Sequence, residues 1–231
     1  MNRRGVGNIE FILAFILFAS FVAAALYFFN PVKNTSSLTS SADYTINEII
    51  RNTTVNVESY SVKITAPASV DIMAVTIDGV NQNQNARVED YNGNRLDSRR
   101  EGNNVIFDRN GKDFVFIRFS EDFERGNFIE TASPNSAYYQ IASLTTSQLI
   151  SEKRLKNIKN YYEQDYNSLK TQRDIPIGVD FSFSLEFPDG TSLSTSKTAP
   201  IGVEIFSETK IREVLKEDGS SEFGYLTAKI W

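Results

Sequence analysis

The sequence predicts an α+β fold: an N-terminal transmembrane helix, then a strand-rich antiparallel extracytoplasmic domain with one long helix packed on the sheet. Three observations carry this expectation. Phe11 to Phe29 is apolar apart from Ser20; from Thr54 onward apolar residues recur with a period of two; and after Ser151 the spacing reverts to three and four.

At a rise of ~1.5 Å per residue the apolar run extends roughly 28 Å, close to the hydrocarbon thickness of a bilayer. It is too long for a secretory h-region, and no small-x-small cleavage site precedes Asn30-Pro31. Pro31 cannot continue the helical ladder. Arg3 and Arg4 stand just before the run and the next basic residue is Lys33. The positive-inside rule then puts the N-terminus in the cytoplasm and the long remainder outside, which describes a single-pass protein of the cell membrane with the membrane as a partner. Residues 31–53 read as a polar linker or loosely helical stalk, with a short helix about Ala42–Arg51.

Within 54–231, Val55, Val57, Tyr60, Val62 and Ile64 mark one strand and Val70–Ile77 another. Asn104–Phe107 and Phe114–Phe119 flank Asn110-Gly111, a hairpin signal. Val179, Phe181, Phe183, Leu185 and Phe187 alternate before the turn Pro188-Asp189-Gly190 leads into Thr191–Ser196. A final hairpin joins Gly202–Leu215 to Phe223–Trp231. Ser151 caps a helix over Glu152–Thr171, in which Leu155, Ile158, Tyr162, Tyr166 and Leu169 form the core face. Lys153, Arg154, Lys156, Lys159, Glu163 and Lys170 form its other face, read as solvated rather than as a basic binding stripe.

Composition narrows the chemistry. The 231 residues include 24 Lys+Arg, 29 Asp+Glu, no His and no Cys, for a net charge of −5. Ser-His-Asp and Cys-His nucleophile systems, disulfides, iron–sulfur clusters and ordinary zinc fingers are excluded. The acidic balance argues against a nucleic-acid partner. No phosphate loop or dinucleotide fingerprint occurs, so no cofactor, no metal and no enzymatic activity are expected. Glu121, Asp122 and Glu124 are a carboxylate cluster of the kind glycoside hydrolysis uses, but adjacent acids in a turn are ordinarily solvated. Asp90-Tyr-Asn92-Gly-Asn94-Arg-Leu-Asp97 spaces oxygen ligands as calcium loops do, yet places Arg95 where an EF-hand requires Gly, so a hairpin turn is preferred. Asn81–Asn85 reads as a polar loop. Asn34-Thr35-Ser36 and Asn52-Thr53-Thr54 make Asn34 and Asn52 candidates for glycosylation.

Glu10 stands at the start of the apolar run. It either sits at headgroup level, favoured by the helix dipole, or awaits a partner charge. Its setting, Arg3-Arg4-Gly5 followed by Val6-Gly7-Asn8-Ile9-Glu10-Phe11 and an apolar helix, resembles the class III signal of type IV prepilins, archaeal pilins in particular. The resemblance implies that a prepilin-type signal peptidase cuts after Gly5, making Val6 the new terminus and placing Glu10 fifth. Gly7 offers an alternative cut that places Glu10 third, and Val6 stands where many archaeal members carry Gln. The segment from Tyr166 to Leu185 is loosely similar to a recurring stretch of archaeal pilin-like proteins.

The organisation implied is a leader at 1–5, a transmembrane and assembly helix at 6–30, a linker or stalk at 31–53, and an extracytoplasmic α+β domain at 54–231. The expected function is that of a membrane-anchored minor pilin or pseudopilin. Such a subunit assembles with other pilin-like subunits, through Val6, Glu10 and the apolar helix, into a surface filament or secretion pseudopilus. The alternative is an uncleaved, signal-anchored surface protein whose outer domain binds a polymer, ion or partner.

Overall fold

The computed structural model describes residues 6–28, 31–176 and 178–231; side chains are described from Glu10 to Ala25 and, within those ranges, from Leu38 onward. The leader at 1–5, including Gly5, lies outside the described residues, as do Phe29 and Asn30. The chain opens with helix α1 (Val6–Phe28) and continues with α2 (Pro31–Thr53).

Among the described residues, no helix is long and apolar enough to cross a membrane. The expected fold class is therefore corrected at its first element: a transmembrane helix is not supported. Single-pass anchoring, and the orientation with a cytoplasmic N-terminus and an extracytoplasmic domain, fall with it.

Residues 31–53, read from sequence as a linker or stalk, form one helix. Proline suits its first position, where the missing N–H has no intrahelical acceptor to lose. Ala42, Ile46 and Ile49 recur at helical spacing and are buried in the main core. The end is fixed by Thr53 and Thr54, whose hydroxyls donate to the carbonyls of Ile49 and Ile50, each at 2.7 Å.

Seven strands follow: β1 (Thr54–Ile64), β2 (Ile72–Thr76), β3 (Asn85–Asp90), β4 (Arg95–Leu96), β5 (Ser98–Glu101), β6 (Asn104–Asp108) and β7 (Phe114–Ser120). The long strand β8 (Tyr139–Ser151) leads into α3 (Glu152–Gln164) and α4 (Tyr166–Gln172). The chain closes with β9 (Phe181–Glu186), β10 (Ser192–Ser194), β11 (Phe206–Leu215) and β12 (Ser221–Ile230). They form a nine-stranded sheet in the order β10-β9-β12-β11-β8-β1-β7-β3-β4, and a three-stranded sheet in the order β2-β6-β5. The pairings are antiparallel except for a short parallel contact of β11 with β8 at Val214↔Ile150 and Leu215↔Ser151.

Two cores result. α2, α3 and α4 cover the sheet at β9, β11 and β12, burying Leu155, Phe181, Phe183, Leu185, Leu226 and Ile230. The small sheet closes over β1, β3 and β7, burying Val62, Val75, Phe107, Val115, Ile117 and Phe119. β1 serves both sides of the sheet: Val55 and Val57 pack with Phe123, Leu149 and Leu215, and then Tyr60, Val62 and Ile64 point into the sandwich. The change from odd to even apolar positions in the sequence is this change of side.

Two local expectations are revised. The Asn110-Gly111 turn does not close a hairpin, because β6 pairs with β2 and β5 whereas β7 pairs with β1 and β3. Both turn residues have positive φ, 49° and 69°, and carry the chain from one sheet to the other. The helix expected over Glu152–Thr171 breaks at Asp165, whose backbone (φ −148°, ψ 77°) leaves the helical region. The Asp165 carboxylate accepts from the Ser168 N–H at 3.1 Å and so caps α4.

Candidate functional site

The residues singled out for assembly lie on α1. Glu10 is exposed, and so is each described side chain from Phe11 to Ala24. Phe11 is 75% exposed, Phe18 65% and Phe21 73%, and none of the described α1 side chains belongs to a buried core cluster. Val6 begins the helix, but its side chain, like the whole of Gly5, lies outside the described residues.

Asn34 is within α2 with its side chain outside the described residues. Asn52 lies in the last turn of α2. Its amide nitrogen donates to the Glu48 carbonyl at 2.7 Å, and its oxygen accepts from Arg173. The oxygen ties the helix end to the segment after α4, while the nitrogen bonds within α2.

The carboxylate cluster is organised around one cation. Arg154, on the first turn of α3, donates to Asp122 at 2.9 Å, Glu121 at 3.1 Å and the Thr54 carbonyl at 3.1 Å. It thereby ties the chain after β7 to the α2–β1 junction. The Glu124 side chain is exposed and does not join this network among the described residues. On the same helix Lys156 pairs with Glu152 at 3.0 Å and Glu217 at 2.8 Å, so Arg154 and Lys156 of the basic face are both held by neighbouring acids.

Asp90 closes the β3–β4 turn. Its carboxylate accepts from the backbone N–H groups of Asn92 and Asn94 at 2.9 and 3.0 Å, from the Asn94 side chain at 3.2 Å, and lies 3.2 Å from Lys112 Nζ. Burial pushes this carboxyl up, but hydrogen bonds from Asn94, Lys112 and Asn92 outweigh it and hold it at about 2. The Asp90 oxygens, the first ligands of the loop that resembles a calcium site, are thus occupied by protein donors. Among the described residues no group of three or more acidic side chains could hold a metal ion. The Asn81–Asn85 loop is clasped by Arg100, which donates to the Asn81 and Gln84 carbonyls.

The tyrosines read from sequence as core residues lie beside a cavity that was not singled out in the sequence. Tyr162 and Tyr166 join Phe181 and Phe183 in a cluster of edge-to-face and stacked rings. Tyr162 donates to the Phe181 carbonyl at 2.5 Å, and Tyr166 donates to Asp180 at 2.9 Å. Burial pushes both hydroxyls well above the usual tyrosine range. Beside this cluster opens a cavity of about 350 Å³, lined by Ser182, Ser184, Lys197, Lys229 and Trp231 among others. Lys197 is held 2.9 Å from Asp180 and 4.0 Å from the centre of the Tyr166 ring. Its residues are scattered between positions 182 and 231, and no local motif marks them.

No protein-family model matches this chain, and neither a curated protein nor a solved structure matches it.

Proposed function

We propose that the chain is a pilin-like structural subunit, cut after Gly5 and assembled through α1 with like subunits into a filament or pseudopilus. One observation carries the reading: α1 is apolar around its circumference, and none of its described side chains contributes to a core of its own chain. Successive side chains turn by ~100° about a helix axis, so Phe11 to Phe18 face every direction. A single groove covers one side of such a helix, whereas a bundle of like helices covers all of it. Each large side chain so covered contributes on the order of 1.5–3 kcal/mol.

Glu10 is the charged residue among the described α1 side chains. Inside an apolar bundle it is costly alone and tolerable beside a cation. The α-ammonium that cleavage leaves on Val6 of a neighbouring subunit is that cation, and the pair then sets the axial stagger between helices. The work is assembly, and no turnover is required of the domain.

The N-terminal mass of the natively expressed protein is the first test, and a start at Val6 is expected. Glu10→Gln should abolish or strongly reduce pelletable filaments seen by electron microscopy, and Gly5→Val should block processing and assembly together. Normal assembly in both variants would overturn the reading. A start at Asn8 would remove the fifth-position role of Glu10. A second reading, in which the domain binds a polymer, ion or partner as a monomer, draws on the cavity at Lys197, Lys229 and Trp231. An uncut chain that stays monomeric would favour it.

A further inference from the structure

The sheet has two unlike faces at β9. Phe181, Phe183 and Leu185 enter the helical core, so Ser182 and Ser184 stand on the opposite, wetter face. Register adds to them: Ser182 pairs with Lys229 on β12, and Ser184 with Ser194 on β10. Directly paired residues share a face, with neighbouring strands ~4.8 Å apart and alternate residues ~6.6 Å apart. Three hydroxyls and one ammonium thus form a polar floor to the cavity beside the tyrosine cluster. Trp231, directly after β12, lines the same cavity, and the chain leaving β10 adds Lys197 and Thr198. Its volume of about 350 Å³ lies at the small end of ligand pockets.

These groups are uncommitted within the protein. Among the described residues, the hydroxyls of Ser182, Ser184, Ser194 and Thr198 have no side-chain hydrogen bond, and Lys229 has no ion pair. Lys197, by contrast, is held by Asp180 at 2.9 Å and by the Tyr166 ring. The main-chain oxygen of Trp231 accepts from the Asp180 N–H at 2.8 Å. No acidic side chain and no arginine is among the described residues that line the cavity.

We infer that the cavity binds one sugar-acid unit, a hydroxylated ring that carries a carboxylate. Each chemical part of such a ligand has its counterpart here. A serine or threonine hydroxyl both donates and accepts, which matches a ring whose own groups are hydroxyls, whereas a bare oxyanion would use donors alone. Lys229 supplies one ammonium for one carboxylate, and a phosphate dianion would call for the arginine fork that is missing. The indole of Trp231 offers an apolar surface to the C–H face of the ring. The net charge of −5 does not oppose this, because charges more than ~8 Å away are largely screened at physiological salt. The inference rests on the cavity-based reading given above, to which it adds the ligand, and it does not depend on assembly through α1.

Trp231 is the one tryptophan of the chain, so its fluorescence reports this cavity directly. The full-length protein in mild detergent is titrated with glucuronate, glucose and inorganic phosphate, by tryptophan emission and by calorimetry. Glucuronate should bind saturably in the millimolar range or tighter, with glucose and phosphate each about five- to tenfold weaker. Lys229→Met, which keeps the apolar stem on an exposed strand position, should bring glucuronate down to the affinity of glucose. Lys229→Arg should restore most of the difference, which a misfolded variant cannot do. An oligoglucuronate that binds more tightly than the monomer assigns the site to a unit of a polymer, and equal affinity assigns it to a free sugar acid. No saturable binding of glucuronate by either readout would overturn the inference. Phosphate or glucose binding as tightly as glucuronate would do the same, as would indifference to Lys229→Met. Light scattering on the same samples reads assembly separately. A filament that binds glucuronate refutes only the monomer of the second reading, whereas a monomer that ignores it refutes this ligand.

Discussion

Arg100 offers the sharpest test of how the sandwich holds its loops. It is 9% exposed on β5, and donates from Nε to the Gly102 carbonyl at 2.7 Å, and from Nη1 to those of Asn81 and Gln84 at 2.7 and 2.5 Å. Nη2 reaches the Val80 carbonyl at 3.3 Å, and the guanidinium carbon lies 5.2 Å from the centre of the Phe119 ring. Arg100→Met keeps the apolar stem and removes every donor. The bonds to Gln84 and Val80 are buried, so those carbonyls lose their partner without gaining water, whereas Asn81 and Gly102 are exposed and rehydrate. A hydrogen bond to a charged group contributes about 1.5–3 kcal/mol net, and the bond to Val80 is long. Relief of the desolvated guanidinium offsets part of the loss, leaving an expected destabilisation of about 2–4 kcal/mol. With a urea slope of ~2–3 kcal/mol/M, the unfolding midpoint should fall by about 1 M. Proteolysis within Asn81–Asn85 should also accelerate, and Arg100→Lys should be intermediate because one ammonium cannot span all four carbonyls. A midpoint shift in Arg100→Met below ~0.3 M, with unchanged proteolysis, would refute this account.

Three further outcomes are expected. A Cβ on Gly126 would collide with the Ser98 carbonyl oxygen and sit 2.9 Å from its carbon, so Gly126→Ala should cost about 1–3 kcal/mol in thermal or urea unfolding. Asp90 has a folded pKa below that of the unfolded chain, so its stabilisation is complete above the unfolded value of about 3.9 and is lost as pH falls through about 2. Asp90→Asn should accordingly be less stable than the parent at neutral pH and converge with it in acid, and a gap that persists or widens at low pH would contradict that sign. Arg154→Ala removes bonds to Asp122, Glu121 and the Thr54 carbonyl; because the side chain is 31% exposed, solvent makes good part of the loss, and about 1–2 kcal/mol is expected by denaturant titration.

Sequence patterning disclosed those elements in which one face is buried and the other wet. β9 alternates cleanly because Phe181, Phe183 and Leu185 enter the core while Ser182 and Ser184 do not. β8 has no such contrast: its exposed stretch faces solvent on both sides, so no alternation marks it as a strand. The Asn110-Gly111 turn was legible as a turn, but local chemistry does not say which sheet each flank joins. α2 was legible only where Ala42, Ile46 and Ile49 meet the core, and the Ser/Thr-rich turns before them carry no apolar signal. The apolar run of α1 was plain in the sequence. Length and hydropathy alone overreached when they made it a membrane span. Of the candidate site, Glu10 was named from its setting, whereas the cavity near Trp231 joins residues that only the fold brings together.

The direct passage from α2 into β1 has a mechanical meaning. α2 ends at Thr53 and β1 begins at Thr54, so tension on the N-terminal helices enters the domain with no slack between them. β1 is clamped on both sides, by β8 along its whole length and by β7 from Glu58 to Lys63. A pull along its axis loads those hydrogen bonds together in shear, instead of peeling them one after another. A load carried by α2 is thereby handed to a strand that is bonded on both of its sides.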